Sequence, residues 1–507
     1  MATPIPSNEA SFTLGEILAT TAGRLSGALT DQALEVRGVS TDTRSVRPGE
    51  AFVALAGDRF DGHEHLAEAA AAGAVLAIVE REMVAPPGLT QLIVGSTLES
   101  LGALAAVHLD RWRRASSRRR VLGLTGSAGK STTKEAIVQL LAAAQPHGVH
   151  ATRGNLNNLV GVPMTLLGLG AAHRFAVVEM GTNATGEIPR LSRMVRPDVG
   201  LVTLIAAAHT EGLGTVDDVA VEKNSLFAQL AGEGCAIGNA DDDRVLAGMM
   251  RCDAGRRVRY GRGAEGGYRI TGREILAKVG SDDGPRSAVT LERPGGTSLT
   301  ATIPLLGEVG ALAMAAAVAA VETLLEVAVE GAVVSRALAT MSGRMTTRQA
   351  PSGLLVVDDS YNSNPASARA SIATSAELAT ATGRRLVLVL GEMRELGPLS
   401  VSEHEGVGEA AAAVAPALLI AVTGDARHVA DRAREAAVEA HFVEDADAAA
   451  ELALARCLPG DLVLVKGSRG VRTERVVDAL LGGRGAPPPH GSADGAEQRC
   501  SSPGGAP

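Results

Sequence analysis

The chain has 507 residues, material for about three domains at roughly 100 to 200 residues each, which excludes a single small binding module. Hydrophobic residues make up 46% and charged residues 21%, the balance of a folded soluble protein and not of a disordered one. With 48 Lys and Arg against 57 Asp and Glu, a net charge of -9 and only 2% aromatics, the chain has neither the basic field nor the stacking platforms that nucleic acid would need in a partner.

From the N-terminus, MATPIPSNEASFTLGE has no basic stretch followed by an apolar one, and no run approaches about 18 uninterrupted, strongly apolar residues. A cytoplasmic protein without membrane insertion is expected. The first 110 residues read as a separate unit, with a strand at 52–55 and a helix at 67–73 feeding a second apolar run at 74–79. Next comes RWRRASSRRR, residues 111–120, with six arginines in ten positions, which reads as a solvated linker. Beyond it, short apolar runs at 121–125, 175–178 and 200–205 alternate with Ala-rich helical stretches, the pattern of a parallel sheet. Residues 256–304, rich in Gly, Arg and Thr, read as an antiparallel excursion and loop. A second set of runs, 354–357, 386–390, 418–422 and 462–465, predicts a second α/β domain. After Gly482 the Gly, Pro and Ser content predicts a disordered tail. The expected fold class is therefore α/β, with domains at 1–116, 117–340 and 341–482 and a tail at 483–507. Cys235, Cys252, Cys457 and Cys500 lie far apart with no CxxC pair, which predicts reduced thiols without a disulfide scaffold or zinc site.

The strongest local signal is VLGLTGSAGKS at 121–131, followed by TTKEAIVQLLAAA: a strand, a glycine turn and a helix start. Gly126 and Gly129 let successive N–H groups turn inward on a phosphate, Lys130 adds a point charge and Ser131 offers a hydroxyl to a nucleotide's magnesium. Thr125, Gly126, Ser127, Ala128, Gly129, Lys130, Ser131 and Thr132 form the predicted ATP loop. Leu124 stands where the general phosphate-loop pattern has its first Gly, which argues against an ordinary GTPase or motor and toward ATP-dependent amide ligases that activate a carboxylate. Glu179, at the carboxyl edge of the next strand, is placed to hold a metal, and His209 follows another strand. Lys223, on a helical run, reads by itself as an exposed surface lysine.

Taken with STDTR at 40–44, DGH at 61–63, GNLNNLVGVPMTLL from Gly154, VVEMGTNATGEI, AAAHTEGLG, DDSYNSNP at 358–365, GEMRELG from Gly391 and KGSR at 466–469, the chain resembles the Mur ligases over about residues 12–481. YNSNP and GNLNN point to the branch that adds a dipeptide. The resemblance implies three domains, an N-terminal one for the UDP end of the substrate, a central ATPase and a C-terminal Rossmann-like domain that closes over the site. It implies ATP and magnesium (Mg2+) as cofactors, UDP-N-acetylmuramoyl-tripeptide and D-alanyl-D-alanine as partners in an amide-forming reaction, and a monomer. Carried over by motif, Ser40, Thr41, Asp42 and Arg44 would hold the nucleotide sugar, with Asn155, Asn157 and Asn158 near the substrate. Lys130, Ser131, Glu179 and His209 would serve ATP and magnesium, and Lys223 would be carbamylated into a metal-binding carboxylate, the reverse of its surface reading. Arg344, Asp359 and Asn362 would complete the nucleotide site, while Lys466 and Arg469 would surround the incoming dipeptide.

Two segments depart from the family, the first being the lysine helix, where the family commonly has Glu two positions after the lysine and this chain has Ser225. Where the family usually has HNxxN after LxG, this chain has Val309, Gly310 and Ala313. Poor discrimination between ATP and GTP is expected, along with a gain in ATP affinity on restoring Asn at 310 and 313. Three other readings stay open: a different Mur or folylpolyglutamate-type ligase, a non-catalytic nucleotide-sugar-binding paralogue, and a phosphate-loop kinase.

Overall fold

The computed structural model describes residues 3–27, 31–57, 60–84, 86–146, 148–230, 232–277, 284–341 and 345–482. Arg344, Cys500 and the expected tail lie outside them. Three α/β layers follow one another along the chain, each organised on its own sheet. The first is five-stranded, in the order Arg24–Ser26, Thr90–Ile93, Leu76–Val79, Ala51–Val53, Val39–Ser40. Its parallel centre packs against the helix Thr97–Arg114 through Leu101, Leu104, Ala105, Leu109 and Trp112, an apolar stripe at helical spacing.

That stripe corrects the linker reading of 111–120. The helix runs on through Arg111, Trp112, Arg113 and Arg114, because Trp112 is buried, with its indole N–H donating to the Gly170 carbonyl at 3.2 Å. Arginines in a last helical turn also complement its dipole. Arg113 pairs with Asp198 at 3.0 Å, and Arg120 already opens the next strand. The charge run is thus a seam between two domains and not a tether.

The second sheet has nine strands, in the order Val149–Ala151, Phe175–Glu179, Arg120–Thr125, Val199–Val202, Cys235–Asn239, Arg256–Gly261, Tyr268–Leu276, Arg286–Glu292, Ser298–Ile303. The predicted strands sit at its parallel centre. The 256–304 segment is more regular than expected: its first strand runs parallel to Cys235–Asn239, and only the last three form an antiparallel meander. The helix Gly307–Leu325 covers this sheet and is long and apolar enough, by length and composition, to cross a membrane. It is a core element here, since Ala311 and Met314 to Val321 are fully buried beside the helix Lys130–Ala144. The third sheet has six strands, in the order Thr346–Gln349, Leu355–Asp359, Leu462–Lys466, Leu386–Gly391, Leu418–Val422, Ala440–Val443, all parallel except the first. Cys235, Cys252 and Cys457 are free thiols.

In both parallel sheets the carboxyl edges of the central strands carry the residues of interest. Thr125 and Glu179 end strands of the middle sheet, and Asp359 and Lys466 end adjacent strands of the third. Ligands of open α/β sheets sit in such crevices.

Candidate active site

The glycine turn after Arg120–Thr125 is held from below. Gly126 and Gly129 take φ values of 150° and 80°, a region that disfavours side chains. A Cβ at Gly126 would lie 1.9 Å from Thr203 Oγ1. Thr203 Oγ1 donates to the Ala128 carbonyl at 2.6 Å, Ser127 N–H to the Leu204 carbonyl at 2.7 Å and Ser127 Oγ to the Ala206 carbonyl at 2.9 Å. The turn is thus fixed to the segment that follows the neighbouring Val199–Val202 strand before any ligand arrives. Lys130 folds back onto the Gly126 carbonyl at 2.7 Å. Thr125 is buried beneath the turn, and Ser127 to Ser131 line a cleft of about 570 Å³.

Glu179 enters the same cleft at 1% exposure. Its Oε1 accepts from Ser131 Oγ at 3.2 Å and Asn157 Nδ2 at 2.9 Å, and its backbone N–H donates to Thr152 Oγ1 at 3.0 Å. Oε2 is buried without a hydrogen-bond partner among the described residues, with Lys134 Nζ at 3.9 Å. Lys223 is 0% exposed, and its Nζ likewise has no hydrogen-bond partner among the described residues. Adjacent Glu222 is committed elsewhere, accepting the Gly186 and Ile188 N–H groups at 2.8 and 2.7 Å. Burial, reinforced by the Lys130 cation and opposed by Glu222, pulls the Lys223 amine down to about 7. An orphaned carboxylate oxygen and an orphaned amine are costly unless something completes them. A hard divalent cation on Ser131 and Glu179 suits the first, because magnesium keeps few protein ligands and fills the rest with phosphate and water. No cluster of three or more His, Cys, Asp or Glu side chains able to hold a metal occurs among the described residues, so a metal here depends on oxygens beyond the carboxylates.

Three comparisons with known proteins bear on this arrangement. The family model described as Mur ligase middle domain matches residues 124–321, the Mur ligase, glutamate ligase domain matches 343–469, and the Mur ligase family, catalytic domain matches 35–111. The UDP-N-acetylmuramoyl-tripeptide--D-alanyl-D-alanine ligase of Escherichia coli (strain K12) is 37% identical over 477 residues, covering 93% of this chain and 98% of that relative. The chain belongs to the Mur ligase family. A crystal structure of MurF from Acinetobacter baumannii superposes on this Mur ligase with a TM-score of 0.80 at 30% identity, covering 94% of this chain and 100% of the other. The MurF ligase of Thermotoga maritima in complex with ADP gives a TM-score of 0.74 at 27% identity, covering 88% and 97%.

The C-terminal domain of this Mur ligase closes the cleft. Asn364 caps the helix Pro365–Thr382 through Ser367 N–H and also donates from Nδ2 to the Ser127 carbonyl at 3.1 Å, tying the third sheet to the phosphate loop. His209, at a φ of 57°, places Nδ1 2.5 Å from Glu395 Oε2, while Thr210 Oγ1 donates to the Leu396 carbonyl at 2.8 Å. The His209 contact holds the Glu395 carboxyl below its ordinary value, against burial. Asn362, Arg394 and Arg469 line the cleft, and Arg469 lies over the Tyr361 ring at 5.5 Å. Asn364, Arg394 and Glu395 were missed from sequence although YNSNP and GEMRELG contain them, because no local pattern tells which side chain of a loop faces a distant domain.

Other expected residues fall elsewhere. Lys466 is buried, donating to Asp359 Oδ2 at 2.6 Å and the Asn362 carbonyl at 3.1 Å. With Asp359 and Thr132 it borders a separate cavity of about 60 Å³ beside the phosphate loop. It does not line the large cleft. Val309 and Gly310 line that small cavity too. A Cβ at Gly310 would sit 2.7 Å from the Leu305 backbone carbonyl carbon and oxygen, and Ala313 is in the core. The expectation that Asn at 310 and 313 improves ATP affinity is overturned, because backbone does not yield as a flexible side chain does. Asn155, Asn157 and Asn158 line the large cleft, although the Asn158 side-chain oxygen Oδ1 is spent on the Val160 and Gly161 N–H groups. Ser40, Thr41, Asp42 and Arg44 do not line it: Ser40 and Thr41 are buried and Arg44 forms a two-pronged pair with Asp42 at 2.9 and 2.7 Å.

Proposed function

We propose that this Mur ligase uses ATP to join D-alanyl-D-alanine to UDP-N-acetylmuramoyl-tripeptide, a cytoplasmic step of peptidoglycan precursor synthesis, as a monomer with domains at 1–116, 117–340 and 341–482. The observation that carries the reading is the convergence in one cleft of the glycine turn with Lys130, the Ser131–Glu179 pair and the Tyr361–Arg469 rim. The curated relative named for this reaction, 37% identical along 93% of the chain, supports the choice of substrates. The ADP complex of the Thermotoga maritima relative supports ATP.

The tripeptide carboxylate oxygen attacks the γ-phosphorus of ATP and ADP departs, leaving an acyl phosphate. The neutral amine of the dipeptide then attacks the acyl carbon, the C–O bond to phosphate breaks, and the amine proton leaves to solvent or base. Both partners of the first step are anionic, so the residues here must lower their repulsion. Lys130 does so by swinging from the Gly126 carbonyl to the phosphates, and the turn's N–H groups add to it. Magnesium, held by Ser131 and Glu179 with His209 and Lys223 nearby, would neutralise phosphate charge. Carbamylation of Lys223 would replace a buried cation beside Lys130 with an anion that pairs with it. Asn157 orients Glu179, and the His209–Glu395 and Asn364–Ser127 links exclude water by holding the domains closed.

The deciding experiment is mass spectrometry of products from purified protein with ATP, magnesium, UDP-N-acetylmuramoyl-tripeptide and D-alanyl-D-alanine. The expected result is ADP, free phosphate and the UDP-linked pentapeptide, each dependent on both other substrates. ATP turnover without the amide would return the chain to a different ligase, and no turnover at all would leave a nucleotide-sugar-binding protein.

A further inference from the structure

We propose that a second cavity, at the seam between the first two sheets, binds a small phosphate ester. Its volume is about 650 Å³, the size of a site for a metabolite. It lies away from the chemistry. Arg119 immediately precedes the central strand Arg120–Thr125, Leu169 to His173 precede Phe175–Glu179, and Arg47 stands just before Ala51–Val53, so the cavity opens at the amino edges of both sheets. The large cleft gathers at carboxyl edges, and none of its lining residues is shared with this cavity. Thr41 to Arg44 follow the strand Val39–Ser40, which runs parallel to Ala51–Val53, and so stand at the carboxyl edge too, apart from Arg47.

The lining carries more positive than negative charge. Arg47, Arg111 and Arg119 share it with one carboxylate, Glu9. Arg111 pairs with Glu16 at 3.0 Å, but among the described residues neither Arg47 nor Arg119 forms an ion pair. Arg119 spends its terminal nitrogens on neutral carbonyls, those of Trp112 and, at 3.0 Å, Ala171. Arg47 donates from Nη2 to Ser7 Oγ at 2.7 Å and keeps Nε and Nη1 without a hydrogen bond to another described residue. The imidazole of His173 is held below its ordinary value by burial first and by the Arg119 cation second. Because His173 Nδ1 accepts from the Gly170 N–H at 2.9 Å, the ring proton sits on Nε2, which has no acceptor among the described residues. Two guanidinium charges and a neutral N–H donor suit a phosphate group, and Ala115, Ala171 and the face of His173 are left for the uncharged part of an ester. The wall is set beforehand, since His108 Nε2 donates to the Leu169 carbonyl at 2.8 Å and the Trp112 indole to that of Gly170.

Trp112 lines the cavity and is the sole tryptophan of the chain, so its emission reports occupancy independently of any reaction in the large cleft. The test titrates the full chain with phenyl phosphate, inorganic phosphate and sulfate. Phenyl phosphate is expected to change the Trp112 emission saturably and to bind several-fold more tightly than either inorganic anion, because its ring covers apolar surface. Arg47→Gln alters an exposed side chain and should keep the melting temperature while weakening phenyl phosphate about tenfold. Arg119 lies over the indole at 5.1 Å, so Arg119→Gln is read by calorimetry, with a loss of similar size; should it unfold, Arg47→Gln decides alone. Lys130→Ala should respond as the wild type does. No saturable change at millimolar phenyl phosphate, an unchanged affinity in folded Arg47→Gln, or a response lost in Lys130→Ala overturns the proposal. Sulfate binding as tightly as phenyl phosphate overturns the choice of a phosphate ester.

Discussion

Glu179 and Lys223, which support the phosphate-loop wall of the cleft, are 1% and 0% exposed, whereas Tyr361 on the facing wall is 50% exposed. The first wall is fixed by backbone. Glycines at φ values closed to other residues, and carbonyls tied to the segment that follows the next strand, set the turn before substrate arrives. The second wall is made of side chains on three loops laced through Ser468. The contrast separates two tasks. Charges kept from water are worth most to a transition state, while groups on the facing wall meet solvent and are screened.

If the walls divide the work in this way, the largest effects belong to the buried one. Lys130→Ala should lower kcat by about a thousandfold or more, because the triphosphate loses its main protein cation. Steady-state rates within tenfold of wild type would dissolve the distinction. Lys223→Ala should be comparably inactive and partly restored by a short carboxylic acid that fills the cavity left behind. The same residue sets a pH dependence. An amine reacts with carbon dioxide only as the neutral base, and burial lowers Lys223 to about 7, so the neutral form prevails above that pH and the ammonium below it. In buffer stripped of carbon dioxide, added bicarbonate should restore activity at pH 8 and much less at pH 6. Equal rates with and without bicarbonate at both values would assign Lys223 a structural role.

Smaller effects sharpen the boundary between the walls. Gly126→Ala meets Thr203 Oγ1 in a backbone region unsuited to it, so a loss of about 1–3 kcal/mol is expected from thermal or denaturant unfolding. Asn364→Ala removes a helix cap and the link to Ser127 together. It should cost about 1 kcal/mol in stability and raise the KM for ATP several-fold. The smallest effect concerns the base. With Val309 and Gly310 beside the small cavity, kcat/KM for ATP and GTP should lie within about tenfold of each other, since apolar groups leave nothing unpaired when the base changes. A strong ATP preference would show that another segment reads adenine.

The phosphate loop was legible because its parts are contiguous: strand, turn, GKS and helix start fall within Val121 to Ser131. The parallel centres of the second and third sheets were legible for a similar reason, as their apolar runs are bounded and regularly spaced. What escaped depended on separation or on sign. His209 meets Glu395 186 positions away, and no local pattern encodes that distance. Lys466 and Arg469 are three residues apart, yet one ends a buried strand and the other lines the cleft, a difference set by where the strand stops. Among residues 111–120, charge outweighed the single Trp112, which is what extends the helix. The surface reading of Lys223 failed because its helix carries polar residues around a position that the fold seals completely.

The helix Gly307–Leu325 has a consequence for the birth of the protein. It lies against the phosphate-loop helix, more than 160 residues after it begins. During synthesis, then, the phosphate-loop helix leaves the ribosome long before the surface that covers it exists. At roughly 5–20 residues per second, that face waits on the order of ten seconds or more for its cover. When the covering helix emerges, it is itself nineteen residues long, of membrane-spanning length and apolar between Glu308 and Glu322. Until it docks, both surfaces are open to aggregation.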